Sequence, residues 1–152
     1  GMSLDDILTI LKSSLDASLP KGKRLFFNIQ LEENLYTQNH YLLLSIFRNL
    51  FNNAIEAADG NPVELSVRQS SSYVIEVEDH GPGIDPEDME QIFEPGFSTK
   101  INYETGEVNR GLGLSLVKDF IELRLGGTIR VTSVPGKTVF TLTIPKEKWS
   151  GL

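Results

Sequence analysis

Residues 73–83 read Tyr73-Val74-Ile75-Glu76-Val77-Glu78-Asp79-His80-Gly81-Pro82-Gly83, and this run decides the architecture. Tyr73, Ile75 and Val77 recur at every second position, the period of a half-buried strand. The strand stops at Asp79, and Gly81 and Gly83 let the backbone approach a flat ligand without a Cβ clash. Upstream, Val63, Leu65 and Val67 alternate in the same way, with Ser70 to Ser72 as the turn, so the two runs form a hairpin. Read alone, Asp79 before two glycines is also an ordinary tight turn capped by its aspartate.

Helices flank the hairpin in the sequence. Residues 38–58 form the longest, with Leu43, Ile46, Phe47, Leu50, Ala54 and Ala57 as its apolar stripe. Ser3 to about Ser18 is amphipathic through Leu4, Leu8, Leu11 and Leu15, and Ser3 with Asp6 resembles a capping box. Leu25, Phe27, Ile29 and Leu31 alternate as a strand between these helices. Downstream, Leu114, Val117, Ile121 and Leu125 mark another helix, which Gly126-Gly127 stops. Strands at about 128–133 and 138–144 then join through Pro135-Gly136. Residues 80–110 carry few apolar runs, and a loop of that length in a compact domain is usually functional or disordered. The fold class expected is α+β, a two-layer α/β sandwich. Its sheet is mixed, mostly antiparallel and of about five strands, with about three helices on one face.

The totals fit one domain over residues 1–152, with 39% hydrophobic residues for a core. Gly1 before Met2 reads as a tag-cleavage scar. Fourteen Lys+Arg against twenty-one Asp+Glu, net charge -7, argue against a nucleic-acid surface, which needs a clustered basic face. With no cysteine there are no disulfides or thiolate metal sites, which fits a reducing, cytoplasmic setting. Two histidines far apart make a zinc site unsuitable. No apolar run reaches membrane-spanning length, so no direct membrane contact is expected.

Three groups carry the chemistry. Asn49, Asn53 and Glu56 lie at i, i+4, i+7, one polar stripe beside the apolar one. Such a stripe is either a solvent-facing helix border or a source of oxygen ligands for Mg²⁺, a hard cation held by few protein oxygens plus phosphates and water. Asp79 can accept a hydrogen bond from an exocyclic amine such as the adenine N6. Arg110-Gly111-Leu112-Gly113-Leu114 opens a helix, where exposed N–H groups and the dipole favour phosphate. Arg110 and Lys100 add positive charge to such a site. Between the glycine runs, Ile92 to Lys100 has apolar anchors and hinge-like residues suited to a lid.

In this order the groups resemble the ATP-binding domain of bacterial sensor histidine kinases, in the superfamily shared with DNA gyrase, heat-shock chaperones and mismatch-repair ATPases. The resemblance runs from about Leu4 to Pro145. Asn49-Leu50-Phe51-Asn52-Asn53-Ala54 is similar to the asparagine box, and Asp79-His80-Gly81-Pro82-Gly83 to the first glycine box. Phe93 to Lys100 is similar to the phenylalanine box, and Gly111-Leu112-Gly113-Leu114 to the second glycine box. The resemblance implies that Asn53 coordinates Mg²⁺ with Asn49 on the phosphate side, the two forming the catalytic pair. It implies that Asp79 binds the adenine amine, with Gly81 and Gly83 lining the base pocket and Thr138 near the base. On the same resemblance Lys100, Arg110, Gly111, Leu112 and Gly113 would border the triphosphate, and the long loop would be an ATP lid.

The chain departs from the family pattern in three places. Hydrolytic branches place a glutamate general base four residues before the magnesium asparagine; Asn49 stands here, and an amide cannot take a proton from water at neutral pH. Where many histidine kinases carry a lysine after the asparagine, Glu56 stands instead. The second glycine box has Asn109-Arg110 before Gly111 in place of a further glycine, a form most similar to kinases related to citrate/malate and peptide-pheromone sensors. The implied function is transfer of the γ-phosphoryl group of ATP to a histidine on a separate dimerisation domain, then to a response regulator. His40 and His80 do not sit in an acceptor context and are expected to be structural. Two further readings stay open: a regulatory ATP-binding module without catalysis, and a serine kinase of the anti-sigma-factor type, which usually carries glutamate where Asn49 stands.

Overall fold

Period-two apolar runs assemble into the sheet, and period-3.6 runs into the helices that cover it. The computed structural model describes residues 1–16, 25–58, 62–95, 101–102, 107–108 and 113–152. The first elements are β1 (Met2–Ser3), α1 (Leu4–Asp16), β2 (Leu25–Gln30), β3 (Tyr36–Thr37) and α2 (His40–Ala58). The hairpin β4 (Val63–Gln69) and β5 (Ser72–Asp79) follows, then α3 (Pro86–Met89) and two short strands, β6 (Ile101–Asn102) and β7 (Glu107–Val108). The chain closes with α4 (Gly113–Asp119), β8 (Thr128–Val134) and β9 (Lys137–Pro145). A π-helical turn, Phe120–Arg124, extends α4, and a 3₁₀ turn, Lys146–Gly151, follows β9.

The five-stranded sheet has the order β2-β4-β5-β9-β8. Only β2 and β4 are parallel, with Leu25 opposite Val63; the other three pairs are antiparallel. The expected α+β sandwich with a mixed, mostly antiparallel sheet is the architecture observed. One sheet face is apolar through Leu65, Val67, Ile75, Val77, Leu142 and Ile144, which share one core with the inner residues of α1, α2 and α4. Phe51 on α2 meets Phe27 on β2 edge to face, ring centres 5.9 Å apart. The opposite face carries Glu64, Ser66, Glu76, Glu78 and Thr141, all half-exposed. There Arg68 pairs with Glu76, and Glu78 receives both Lys137 (3.4 Å) and His80 (3.2 Å). Exposed pairs of this kind contribute little to stability; they mark the solvated side.

Three features differ from the sequence expectation. Residues 80–110 are not one plain loop: they contain α3 and the β6–β7 pair. Pro86 at the first turn of α3, with Glu87 and Asp88 behind it, explains that helix, since proline and acidic residues both suit a helix start. A second small ladder pairs Met2 with Thr37 and Ser3 with Tyr36, and two-residue strands are too short for alternation to reveal. The Ser3 hydroxyl still caps α1, accepting from the Asp6 amide at 3.2 Å. Finally, the C-terminal turn buries Trp149, whose Nε1 donates to the Tyr36 carbonyl (3.0 Å), and the Gln38 amide donates to the Leu152 carbonyl (2.8 Å).

The helix ending at Gly126-Gly127 does so under tight packing. A Cβ on Gly127 would lie 2.2 Å from the Thr143 carbonyl oxygen, a backbone atom that cannot swing aside. No helix among the described residues is long and apolar enough to cross a membrane. Two stability predictions follow from this packing. Phe47 is fully buried on α2, so Phe47→Ala is expected to cost about 3–5 kcal/mol in urea unfolding. Gly127→Ala is expected to lower stability by roughly 2 kcal/mol or more through strain on β9, read as an earlier midpoint in the same titration.

Candidate functional site

At one end of the sheet the inward-facing positions stop being apolar. Along β9 the buried residues are Thr138, Phe140, Leu142 and Ile144, so Thr138 continues the core row. Its register partner on β5 is Asp79, and on β8 it is Ser133. Three polar side chains therefore stand side by side on the helix-covered face. Asp79 and Thr138 are each 3% exposed. A buried carboxylate demands hydrogen-bond donors, and the Gly81 amide donates to Asp79 Oδ1 at 3.0 Å. The Ser133 hydroxyl lies 2.7 Å from that of Thr138 and accepts the Ile84 amide at 2.8 Å.

The glycine run is held against the β8–β9 turn. The Gly136 amide donates to the Gly81 carbonyl at 2.9 Å. Gly83 has φ 89°, and a Cβ there would lie 2.8 Å from the Val134 carbonyl oxygen. Only glycine satisfies both demands. Gly81 is buried and Gly83 half-buried, and the run crosses the sheet end beside Asp79 and Thr138.

The helices bring their polar groups toward the same end. β4 begins at Val63, one residue before Glu64, which pairs with Glu78 next to Asp79, and α2 ends only five positions before Val63. The chain can span no more than about 19 Å over that distance, so the C-terminal half of α2 belongs to this end of the sheet. Asn49 is 9% exposed and Asn53 half-buried, with Asn53 Nδ2 donating to Asn49 Oδ1 at 3.4 Å. The stripe is thus buried at Asn49 and partly exposed at Asn53. α4 and its π turn lead back to Thr128, at the far end of β8, so their start at Gly113 lies toward the Ser133 end. Phe93 packs edge to face on Phe140, ring centres 6.4 Å apart, and Lys118 of α4 lies 5.1 Å from the Phe93 ring. The first part of the expected lid is therefore anchored to both β9 and α4.

Among the sequence-based candidates, Asn49, Asn53, Asp79, Gly81, Gly83, Gly113 and Thr138 fall in described parts of the structure. Lys100, Arg110, Gly111 and Leu112 lie outside the described residues, as does the side chain of Glu56. His40 lies against Tyr41 at 4.2 Å between ring centres, and His80 pairs with Glu78. Ser133 was not singled out from sequence. The signal was present: Ile129 and Val131 set the inward period of β8, which makes Ser133 a hydroxyl at a core-facing position.

Chemically, Asp79 supplies an acceptor, and Thr138 a hydroxyl, on adjacent strands. This pair complements a planar group that presents an amine donor beside a ring acceptor. The Asn49–Asn53 pair offers neutral amide oxygens, of the class that joins phosphates and water around a hard divalent cation.

Comparison with known proteins places this geometry. The profile of the family described as "Histidine kinase-, DNA gyrase B-, and HSP90-like ATPase" matches residues 39–148. The chain is similar to sensor protein CitS of Bacillus subtilis (strain 168), 41% identical over 118 residues, 72% of this chain and 20% of that protein. It is also similar to sensor histidine kinase DcuS of Escherichia coli (strain K12), 33% identical over 151 residues, covering 95% of this chain and 26% of DcuS. The chain thus spans about a fifth to a quarter of the curated relatives it matches here. The catalytic domain of histidine kinase ThkA superposes with a TM-score of 0.78 at 26% identity, covering 95% of each chain. ThkA in complex with response regulator protein TrrA superposes with a TM-score of 0.75 at 24% identity, over 97% of this chain and 41% of that one. The family profile covers most of the chain and the superposition agrees with it: the chain belongs to the histidine kinase-, DNA gyrase B- and HSP90-like ATPase family, whose domains bind ATP, and its similarity to CitS and DcuS fits the citrate-sensor-like group.

Proposed function

We propose that residues 1–152 form the catalytic ATP-binding domain of a sensor histidine kinase. It binds Mg·ATP and passes the γ-phosphoryl group to a histidine on a separate dimerisation domain of the same protein. The phosphate then moves to an aspartate of a response regulator. The observation that carries this reading is the buried Asp79–Thr138 pair beside the strapped glycine run, in a chain of this family. Asp79 accepts the adenine amine, Thr138 faces the base, and Gly81 and Gly83 line the base pocket. Gly113, with Gly111, Leu112, Arg110 and Lys100, borders the triphosphate. The likeness to ThkA, solved with TrrA, supports the response-regulator step. The domain works on the cytoplasmic side of whatever parent carries it.

Asn53 holds Mg²⁺ through its amide oxygen. The fit is chemical: Asn53 spends an amide hydrogen on Asn49, and one neutral amide oxygen is the sparse ligation that magnesium accepts beside phosphates. When bound, the ion neutralises charge on the transferring phosphate. Asn49 favours transfer over hydrolysis, because an amide cannot act as general base for water.

Three outcomes test the proposal. Asp79→Asn keeps the shape but turns one acceptor into a donor facing the amine, so ATP affinity should fall roughly 10- to 100-fold in calorimetric titration, about 1.4–2.7 kcal/mol. Undiminished binding removes the adenine assignment. Removing Mg²⁺ with a chelator should weaken ATP binding to the unaltered domain but have little further effect on Asn53→Ala. For the transfer step, the domain is mixed with its own dimerisation domain and ATP, and acid-labile, base-stable phosphate on that partner is expected. Intact ATP binding without transfer would favour a regulatory module, and phosphoserine on a partner a serine kinase.

A further inference from the structure

The base pocket contains a hydroxyl pair whose order of donation has a consequence for base selection. The Ile84 amide, just past the glycine run, donates to Ser133 Oγ at 2.8 Å. Ser133 Oγ lies 2.7 Å from Thr138 Oγ1, a full-strength O–H···O separation. Thr138 is the register partner of Asp79, on the same sheet face, and both are almost fully buried. An amide nitrogen can only donate and a carboxylate can only accept. The Ser133 oxygen is thus engaged by a fixed donor, which leaves the Ser133 proton for Thr138 Oγ1.

We infer that Ser133 is a positioning residue that makes Thr138 a hydrogen-bond donor toward the base edge. The inference rests on Asp79 and Thr138 forming the base pocket. The chain of bonds runs one way: Ile84 N–H to Ser133, the Ser133 hydroxyl proton to Thr138 Oγ1, and the Thr138 proton outward beside Asp79. Bonds aligned in this sense reinforce one another. The pocket then presents an acceptor (Asp79) next to a donor (Thr138). A 6-aminopurine offers the complement, an amine donor beside an acceptor ring nitrogen. A 6-oxopurine offers the reverse, a carbonyl acceptor beside a ring N–H, and is rejected on both contacts. Ser133 also ties this selectivity to the glycine run, since Ile84 is the residue after Gly83.

The test compares ATP with inosine triphosphate, binding each to the unaltered domain and to Ser133→Ala, Ser133→Thr and Thr138→Val. Ser133→Ala should weaken ATP roughly fivefold or more while inosine triphosphate changes less than about twofold, so the preference narrows. Ser133→Thr keeps the hydroxyl and should restore the preference, and Thr138→Val should narrow it at least as much as Ser133→Ala. Equal weakening of both nucleotides by Ser133→Ala, or none, overturns the inference, because a packing role moves both alike. Asp79→Asn serves as the separate control. If it leaves ATP binding intact, the base-pocket reading itself has failed; if it abolishes preference while Ser133→Ala does not, only the role of Ser133 has.

Discussion

The antiparallel register between β5 and β9 is the constraint on which the rest of the structure depends. It sets Asp79 opposite Thr138, fifty-nine positions away in the chain, and Ile75 opposite Leu142. A slip of one residue would turn every side chain of one strand to the other face. The core row of Ile75 and Val77 would then be solvent-facing, and Asp79 would leave the pocket. The apolar face beneath α2 therefore holds the register, and the register holds the site. Burial of the sheet face and placement of the Asp79 carboxylate are the same event.

The site lies where that row runs out of apolar residues. Thr138 and Asp79 are as deeply buried as their apolar neighbours, which is costly for polar groups without partners. The turn and the glycine run meet the cost with backbone donors: Gly81 for Asp79, Ile84 for Ser133. Among the described residues, no buried side-chain nitrogen or oxygen lacks a partner. The glycines are needed because the strap passes so close to the β8–β9 turn that Gly83 has no room for a side chain. Phe93, wedged between Phe140 and Lys118, links the start of the lid to the same wall.

Most of the fold was legible because its periods are long enough to count. The α2 stripe and the alternation in β4, β5 and β9 each extend over several repeats, and their bounds fall close to expectation. What was missed was short or locally ambiguous. The β1–β3 ladder is two residues a side, α3 is one turn, and the C-terminal turn is shaped by Trp149 reaching the Tyr36 carbonyl. The π turn after α4 carries no periodic signature of its own; in it the Leu125 amide donates to the Phe120 carbonyl, five residues back. At the site, asparagines and glycines stood out by residue type and spacing. Ser133 did not, because a serine near a turn is unremarkable until Thr138 and Ile84 are seen on either side of it.

By itself, the sequence determined the element types, the two-layer class and the residue kinds available for nucleotide chemistry, because period and local spacing encode these directly. It also set an amide, Asn49, one helical turn before Asn53. Only the tertiary structure decided which of those residues share a surface. The parallel pairing of β2 with β4, the Asp79–Thr138–Ser133 row and the strap at Gly83 all join segments distant along the chain. Such contacts depend on how whole faces pack and on strand register, and no local stretch of sequence contains either.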